Sequence, residues 1–366
     1  MGADEVVVEL GGREVRITHP DKVFFSRRSE TKLDLIRYYE AVAEPLLATL
    51  VDRPLLLERY PDGAGGKSFF QKRVPKGVPD WLRTTSVQTV NGTPSNALIA
   101  VDLAHVAWAV NMGCLGFHVW PLRTDADGEV VLFPPDSASS IELPVIDVEQ
   151  FGGRVGREVC DELRIDLDPT PTVAFDAVRE AAAVLRDLLA EKGLAAFPKT
   201  TGKRGIHVYV RLQPRWDSYE VRAAAVAVAR ELERRRPDLL TAAWWKEQRG
   251  ERVFVDYNQN APHKTVFGAW GARPKVGGQV SAPFSWDELD EVDPDALTIN
   301  SVPARLAEEG DPWAAMYDDP QSLEPLLAMH DADMAAGLMD APWPPVYPKM
   351  PGEPPRVAPS RARKEE

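Results

Sequence analysis

Cysteine is nearly absent from this chain. Cys114 and Cys160 are the two in 366 residues, with no C-x-x-C spacing between them. That excludes a disulfide framework and argues against structural zinc, leaving two buried free thiols and a reducing compartment as the expectation. No stretch approaches ~18 continuous apolar residues, and no basic, apolar and small-residue leader pattern opens the chain. A soluble, cytoplasmic protein with no membrane partner is expected. Basic residues are nearly missing between Asp287 and Asp340, where fifteen acidic side chains accompany one basic one, Arg305. That segment carries −14 and the remainder +1, so the net charge of −13 belongs to one region. A polyanionic partner is not excluded, because the local field decides phosphate binding.

What is present begins with Arg164-Ile165-Asp166-Leu167-Asp168-Pro169, an apolar strand carrying two carboxylates one residue apart. Period two puts both on one face, with Cα atoms ~6.6 Å apart and a repulsion of about 2.5 kcal/mol at an effective dielectric of 20. Such a pair suits a shared divalent cation, or acid/base chemistry that keeps the two in different protonation states. A strand end capping a turn at Pro169 is the plain structural alternative. Asp256 ends a second apolar strand, Val253-Phe254-Val255, and is the third anchor that a two-metal site needs.

The run from Lys199 to His207, with Thr201, Gly202, Lys203 and Arg204 inside it, precedes another strand. Glycine permits close backbone approach, hydroxyls and amides donate, and the cations supply charge, so this is phosphate-cradle chemistry without the Walker spacing. Phe69-Phe70-Gln71-Lys72-Arg73 interleaves aromatics and cations as base-stacking surfaces do. Arg249 and Arg273 match phosphate geometry. Asp166-x-Asp168-x-Thr170 also fits the nucleophile motif of haloacid-dehalogenase-like phosphatases, although residues 304–309 are not the apolar strand that their distal acidic motif would need.

Hydrophobic periodicity predicts an N-terminal hairpin, one helix over residues 31–50 capped by Thr31, a hairpin turning at Asn91-Gly92, and a helix over 104–111. A long excursion over 123–158 follows. A β-α-β-β-like alternation over 163–257, with strands at 163–167, 205–212 and 252–257 and helices at 174–192 and 219–235, then makes an α+β catalytic sheet. The expected divisions are an N-terminal part with DNA-contacting elements (1–122), the excursion (123–158), a catalytic core (159–316) and an acidic to Pro-rich tail (317–366), poorly ordered from Ala341 onward.

In order, the motifs around Asp166 and Asp168, Lys199 to His207, and Val253 to Asn260 resemble the three signature motifs of archaeo-eukaryotic primase-polymerases. More closely, they resemble the polymerase domain of bacterial ligase D and its stand-alone actinobacterial relatives. Asp21-Lys22-Val23, Phe69 to Lys72, Gly116 to Trp120, Trp244 to Glu247 and Gly310 to Trp313 extend the likeness over roughly residues 5–316. The resemblance implies an α+β fold with an RRM-like catalytic sheet and a smaller N-terminal α/β subdomain. It implies that Asp166, Asp168 and Asp256 hold two Mn²⁺ or Mg²⁺ ions. Thr201, Gly202, Arg204, His207 and Arg273 would bind the triphosphate of an NTP or dNTP, with His118 near its sugar. Arg249 would lie near the primer terminus, Lys22 and Lys32 would contact a 5′-phosphate of gapped or broken DNA, Phe69 and Phe70 would stack on bases, and Lys72 would follow the backbone. Short gap filling with a preference for ribonucleotides, in break or excision repair, is the implied function. A non-catalytic end-binding scaffold is its rival. No Lys-x-Asp-Gly adenylation motif occurs, so sealing would need a separate ligase.

Overall fold

The structure, a computed structural model, describes residues 4–88, 93–131, 158–347, 349–350 and 352–355. In chain order the elements are β1 (Glu5–Leu10), β2 (Arg13–Thr18), β3 (Val23–Phe25), β4 (Glu30–Thr31), α1 (Lys32–Ala41), α2 (Ala43–Leu50), β5 (Pro54–Arg59), β6 (Phe69–Gln71), β7 (Thr84–Val87), β8 (Ser95–Ile99), α3 (Leu103–Asn111) and β9 (Cys114–Val119). There follow β10 (Val159–Pro169), α4 (Phe175–Glu191), β11 (Phe197–Thr200), β12 (Ile206–Asp217), α5 (Ser218–Arg235), β13 (Leu240–Thr241), β14 (Val253–Asp256), β15 (Val266–Phe267), α6 (Val302–Glu309) and α7 (Glu324–Ala335).

The second half forms a five-stranded sheet in the order β11-β12-β10-β14-β13. Its first four strands have the arrangement of a βαββαβ unit, with β10 central and antiparallel to both β12 and β14. Ile165 and Leu167 of β10 are buried in one core with Val178, Leu185 and Leu189 of α4 and with Val221 and Val228 of α5. Period two therefore sends Asp166 and Asp168 to the opposite face. The capping box of Asp217 and Glu220 starts α5.

The N-terminal half builds a second sheet, β15-β9-β5-β8-β7, with β6 hydrogen-bonded to β5. Its joint with the catalytic sheet is electrostatic and buried. Arg53, ahead of β5, places Nη2 on Asp161 and 2.7 Å from Glu162 of β10, and Asp161 also receives Arg123 and Arg211. Asp161 sits where the β10–β12 register shifts between Cys160 and Glu162, a bulge that turns its side chain toward the joint.

Two expectations change. The helix predicted over 31–50 is two helices broken at Val42, because Pro45 lacks an N–H and its ring would meet the Ala41 carbonyl of a continuous helix. Thr31 does cap α1, in a box with Asp34. The described part of the segment expected to be loose from Ala341 onward is packed: α7, ahead of it, lies on α5, and Trp343, Tyr347 and Met350 are buried around Ala261. Proline-rich composition hid this: Trp343, Tyr347 and Met350 have the i, i+4, i+7 spacing of a helix face, but Pro344, Pro345 and Pro348 between them exclude a helix. Most of the 123–158 excursion and the turn at Asn91-Gly92 lie outside the described residues; β7 and β8 do pair, but with Val87 opposite Ser95, one residue off the register of a two-residue Asn91-Gly92 turn. Both cysteines are free and buried. No described helix is long and apolar enough to cross a membrane.

Candidate active site

Register places a row of four polar side chains across four strands. Lys199 of β11 pairs with His207 of β12, His207 with Asp166 of β10, and Asp166 with Asp256 of β14. Paired residues share a face at ~4.8 Å strand spacing, so the four line up side by side. His207 Nε2 is 3.3 Å from Asp166 Oδ1. Burial holds the His207 imidazole well below its ordinary pKa, with the neighbouring Lys199 and Arg273 cations adding to the effect. Lys199 is fully buried, donates to Ser281 Oγ at 2.6 Å, and is also pushed well down by burial.

The carboxylates respond in the opposite sense. Burial raises Asp166 to about 6 against the pull of Lys199 and Arg273. Burial, and then the Asp166 charge, raise Asp256 to about 7. Asp168, farther out and exposed, is raised by partial burial and by Asp166. Gln259 Nε2 spans the pair, 3.3 Å from Asp166 Oδ2 and 3.0 Å from Asp256 Oδ2, and the Asn258 amide donates to Asp256 Oδ1 at 3.0 Å. Among the described residues no three His, Cys, Asp or Glu side chains converge as a ready ligand set; Gln259 bridges the half-buried two. The donors nonetheless fit a hard dication, being all oxygen and on one face.

The predicted phosphate loop closes against the row. Thr201 Oγ1 accepts the Lys203 and Gly205 amides, which leaves its own O–H free to donate outward. Gly202 has φ +67°, and a Cβ there would stand 2.6 Å from Arg273 Cγ. Arg273, 8% exposed, donates from Nε to the Thr201 carbonyl and stacks 3.6 Å from the Phe267 ring centre; burial lowers it to about 10. His118 of β9 lies between the Phe267 and Phe70 rings, with Nε2 3.2 Å from Glu58 Oε2.

Two predicted site residues are engaged elsewhere. Arg204 donates to the Thr170 and Val173 carbonyls beyond the end of β10. Arg249 lies flat over Phe254 at 3.5 Å and ties the Ala243 and Trp244 carbonyls. Both stay near enough to lower the pKa of Asp168.

Phe69 and Phe70 are about half exposed on β6, with Phe69 against Arg59. Lys72, just past β6, is also exposed. Beside them opens a pocket of about 290 Å³ lined by His19, Lys22, Lys32, Arg59, Asn111 and other residues. Lys22 reaches Asp62 at 3.3 Å. Lys32 already directs its ammonium at three acceptors, the Thr18 carbonyl and both oxygens of Asn111, so it supplies field to this pocket more than a free hydrogen. Sequence reasoning did not single out Glu58, Arg59, Asn111, Ser281 or Gln259. Gln259 stood within the Asp256 motif, and Ser281 opens the stretch to Leu289 that shares the family likeness, so these two had a local signal.

Residues 31–313 match the model of the LigD primase-polymerase domain family. The Mycobacterium tuberculosis multifunctional non-homologous end joining DNA repair protein LigD (strain H37Rv) is 32% identical over 299 residues, covering 82% of this chain and 36% of that protein. The Bacillus subtilis bifunctional non-homologous end joining protein LigD is 29% identical over 318 residues, covering 86% and 46%. The chain thus spans between a third and a half of these relatives. Among solved structures, the polymerase domain of M. tuberculosis ligase D in complex with DNA superimposes with a TM-score of 0.71 at 30% identity, over 83% of this chain and 98% of that one.

Proposed function

The chain belongs to the LigD primase-polymerase domain family, and from that premise we propose that it is a template-dependent nucleotidyltransferase filling short gaps in DNA, with a preference for ribonucleotides, in break or excision repair. The observation that carries the reading is the row Lys199, His207, Asp166, Asp256, which sets two half-buried carboxylates beside a loop suited to receive phosphates.

The family is metal-dependent, and Asp166, Asp168 and Asp256 are the residues that would hold the ions, Mn²⁺ or Mg²⁺. When bound, such ions supply activation of an attacking 3′-hydroxyl and neutralisation of the transferred phosphates. The chain's own groups do the rest. Thr201 offers its hydroxyl proton to a phosphate oxygen, and the backbone at Gly202 lets the triphosphate approach closely. Arg273, kept in place by Phe267 and the Thr201 carbonyl, spreads the phosphate charge. His207, 3.3 Å from Asp166, borders the triphosphate. His118, held by Glu58, faces the nucleotide sugar.

Phe69, Phe70 and Lys72 form the base-stacking and backbone surface. The pocket of Lys22, Lys32 and Arg59 takes the 5′-phosphate of gapped DNA, and Arg249 borders the primer end. The likeness to a DNA-bound polymerase domain supports DNA as the partner. No Lys-x-Asp-Gly motif lies in this sequence, so sealing is assigned to a ligase activity outside it. A phosphatase reading leaves Asp256 without a task, although it stands directly opposite Asp166.

Primer extension on a 5′-phosphorylated gap with Mn²⁺ or Mg²⁺ tests the proposal. Incorporation by the unmodified chain and its loss in Asp166→Ala plus Asp168→Ala are expected. Tight gap binding without incorporation by the unmodified chain would establish the scaffold instead.

A further inference from the structure

The ordered C-terminal segment lies beyond residues 31–313, the range that matches the family model, and it comes back to the catalytic sheet. Asp340 to Pro355, Pro348 and Pro351 being outside the described residues, closes on itself. The Asp340 amide donates to the Gly352 carbonyl at 3.1 Å, and Glu353 receives the amides of Trp343 at 2.9 Å and Met350 at 3.0 Å. Tyr347 Oη donates to the Pro262 carbonyl, so the loop is fastened just past the turn that follows Asp256.

Between this loop and that turn lies Arg222 of α5, 2% exposed. Its Nε donates to Asn258 Oδ1 at 2.8 Å, its Nη1 to Asp340 at 3.1 Å, and its Nη2 to the Ala341 carbonyl at 2.8 Å; Trp343 covers its plane at 3.8 Å. Asn258 Nδ2 donates in turn to the Pro342 carbonyl at 3.0 Å. Both ends of the Asn258 amide are therefore fixed from outside the catalytic sheet. Asn258 is also the residue whose backbone N–H holds Asp256 Oδ1, and it adjoins Gln259, which spans Asp166 and Asp256.

We propose that the Asp340–Pro355 segment is a strap which, through Arg222 and Asn258, positions Asp256 for the divalent cation. Arg222 is a positioning residue here: it touches neither substrate nor cation. Its planar fork meets acceptors on the turn and on the strap at once, which a lysine ammonium could not do in the same geometry. Groups that orient ligands from behind typically account for about 10–100-fold in metal affinity. The inference rests on the reading of Asp256 as a metal ligand.

The test uses the full chain and Mn²⁺ alone, with free Mn²⁺ followed by its paramagnetic resonance signal, alongside steady-state gap filling. Arg222→Gln and Asp340→Asn are expected to weaken Mn²⁺ binding, on the order of 10-fold for Arg222→Gln, with the KM for gapped DNA unchanged. Arg234→Gln is the comparison. It removes an α5–α7 ion pair to Asp333 at 3.1 Å without touching the turn, and it should lower the melting temperature yet leave Mn²⁺ affinity as it was. Equal Mn²⁺ affinity in the unmodified chain and in folded Arg222→Gln and Asp340→Asn would overturn the strap alone. So would equal weakening by Arg234→Gln, because that would mark a general loss of stability. Absence of Mn²⁺ binding to the unmodified chain would overturn the reading of the carboxylates, and the strap with it.

Discussion

Asp166 and Asp256 are direct partners in the antiparallel register of β10 and β14, and a single amide, Gln259 Nε2, spans both carboxylates. Neither residue's neighbourhood in sequence contains the other. Together they make a paired site whose charge is offset only in part, by Lys199 and Arg273 near Asp166 and by Lys264 and Arg249 near Asp256.

That arrangement predicts opposite effects on stability and on activity. Asp256→Asn removes a half-buried charge facing Asp166 and is expected to raise stability of the cation-free chain by about 1–2 kcal/mol. It should also abolish incorporation. Saturating Mn²⁺ should raise the melting temperature of the unmodified chain by mass action and leave the variant unmoved. A variant that melts lower than the unmodified chain without metal would contradict this account of the pair.

Gly202 has a positive φ and no room for a Cβ. Gly202→Ala must strain the backbone by roughly 1–2 kcal/mol and displace Arg273 or the Ser281 amide as well. A lower melting temperature is expected, with a rise in KM for nucleotide exceeding any change in KM for DNA. Calorimetry and nucleotide titration at fixed gap concentration would check both.

Lys32 is buried beside Lys22, and burial first, then that charge, lower its pKa to about 8. The folded state therefore binds this proton less tightly than the unfolded chain, whose lysine has a pKa of ~10.4, so this group's contribution to stability rises as pH climbs from about 8 to 10. Phosphate binding runs the other way, because it needs the ammonium. The preference for a 5′-phosphorylated over a 5′-hydroxyl gap should shrink as pH rises through 8, and Lys32→Gln should flatten that dependence. Binding assays from pH 7 to 9.5 would show it.

Asp161 is the common acceptor of Arg53, Arg123 and Arg211 at the joint of the two sheets. Those guanidinium groups hold its carboxyl far below the usual range against the effect of burial. Asp161→Ala would leave like charges buried together and should cost about 3–5 kcal/mol in denaturant unfolding. For the unmodified chain the stabilisation is present above the ordinary carboxylate pKa and is lost as pH falls below it toward the depressed folded value.

The sequence by itself determined what is local. Alternation in Arg164 to Pro169 fixed Asp166 and Asp168 on one face, the apolar periodicity of Ala174 to Lys192 fixed α4, and Thr31 fixed the start of α1. The ordered motifs named the family, because each motif is a short stretch whose residue types the chemistry constrains directly. Tertiary structure alone decided the pairings. Asp256 meets Asp166, and His207 meets Lys199, through a strand register set by burial of the opposite face against α4 and α5. Arg204 and Arg249 found backbone carbonyls near their own strands, which no charge pattern foretells. The strap was least legible, since Arg222, Asn258 and Asp340 come from three separated segments. Only after the apolar faces have closed are they brought within hydrogen-bonding distance, and a one-dimensional pattern holds no record of distances across the core.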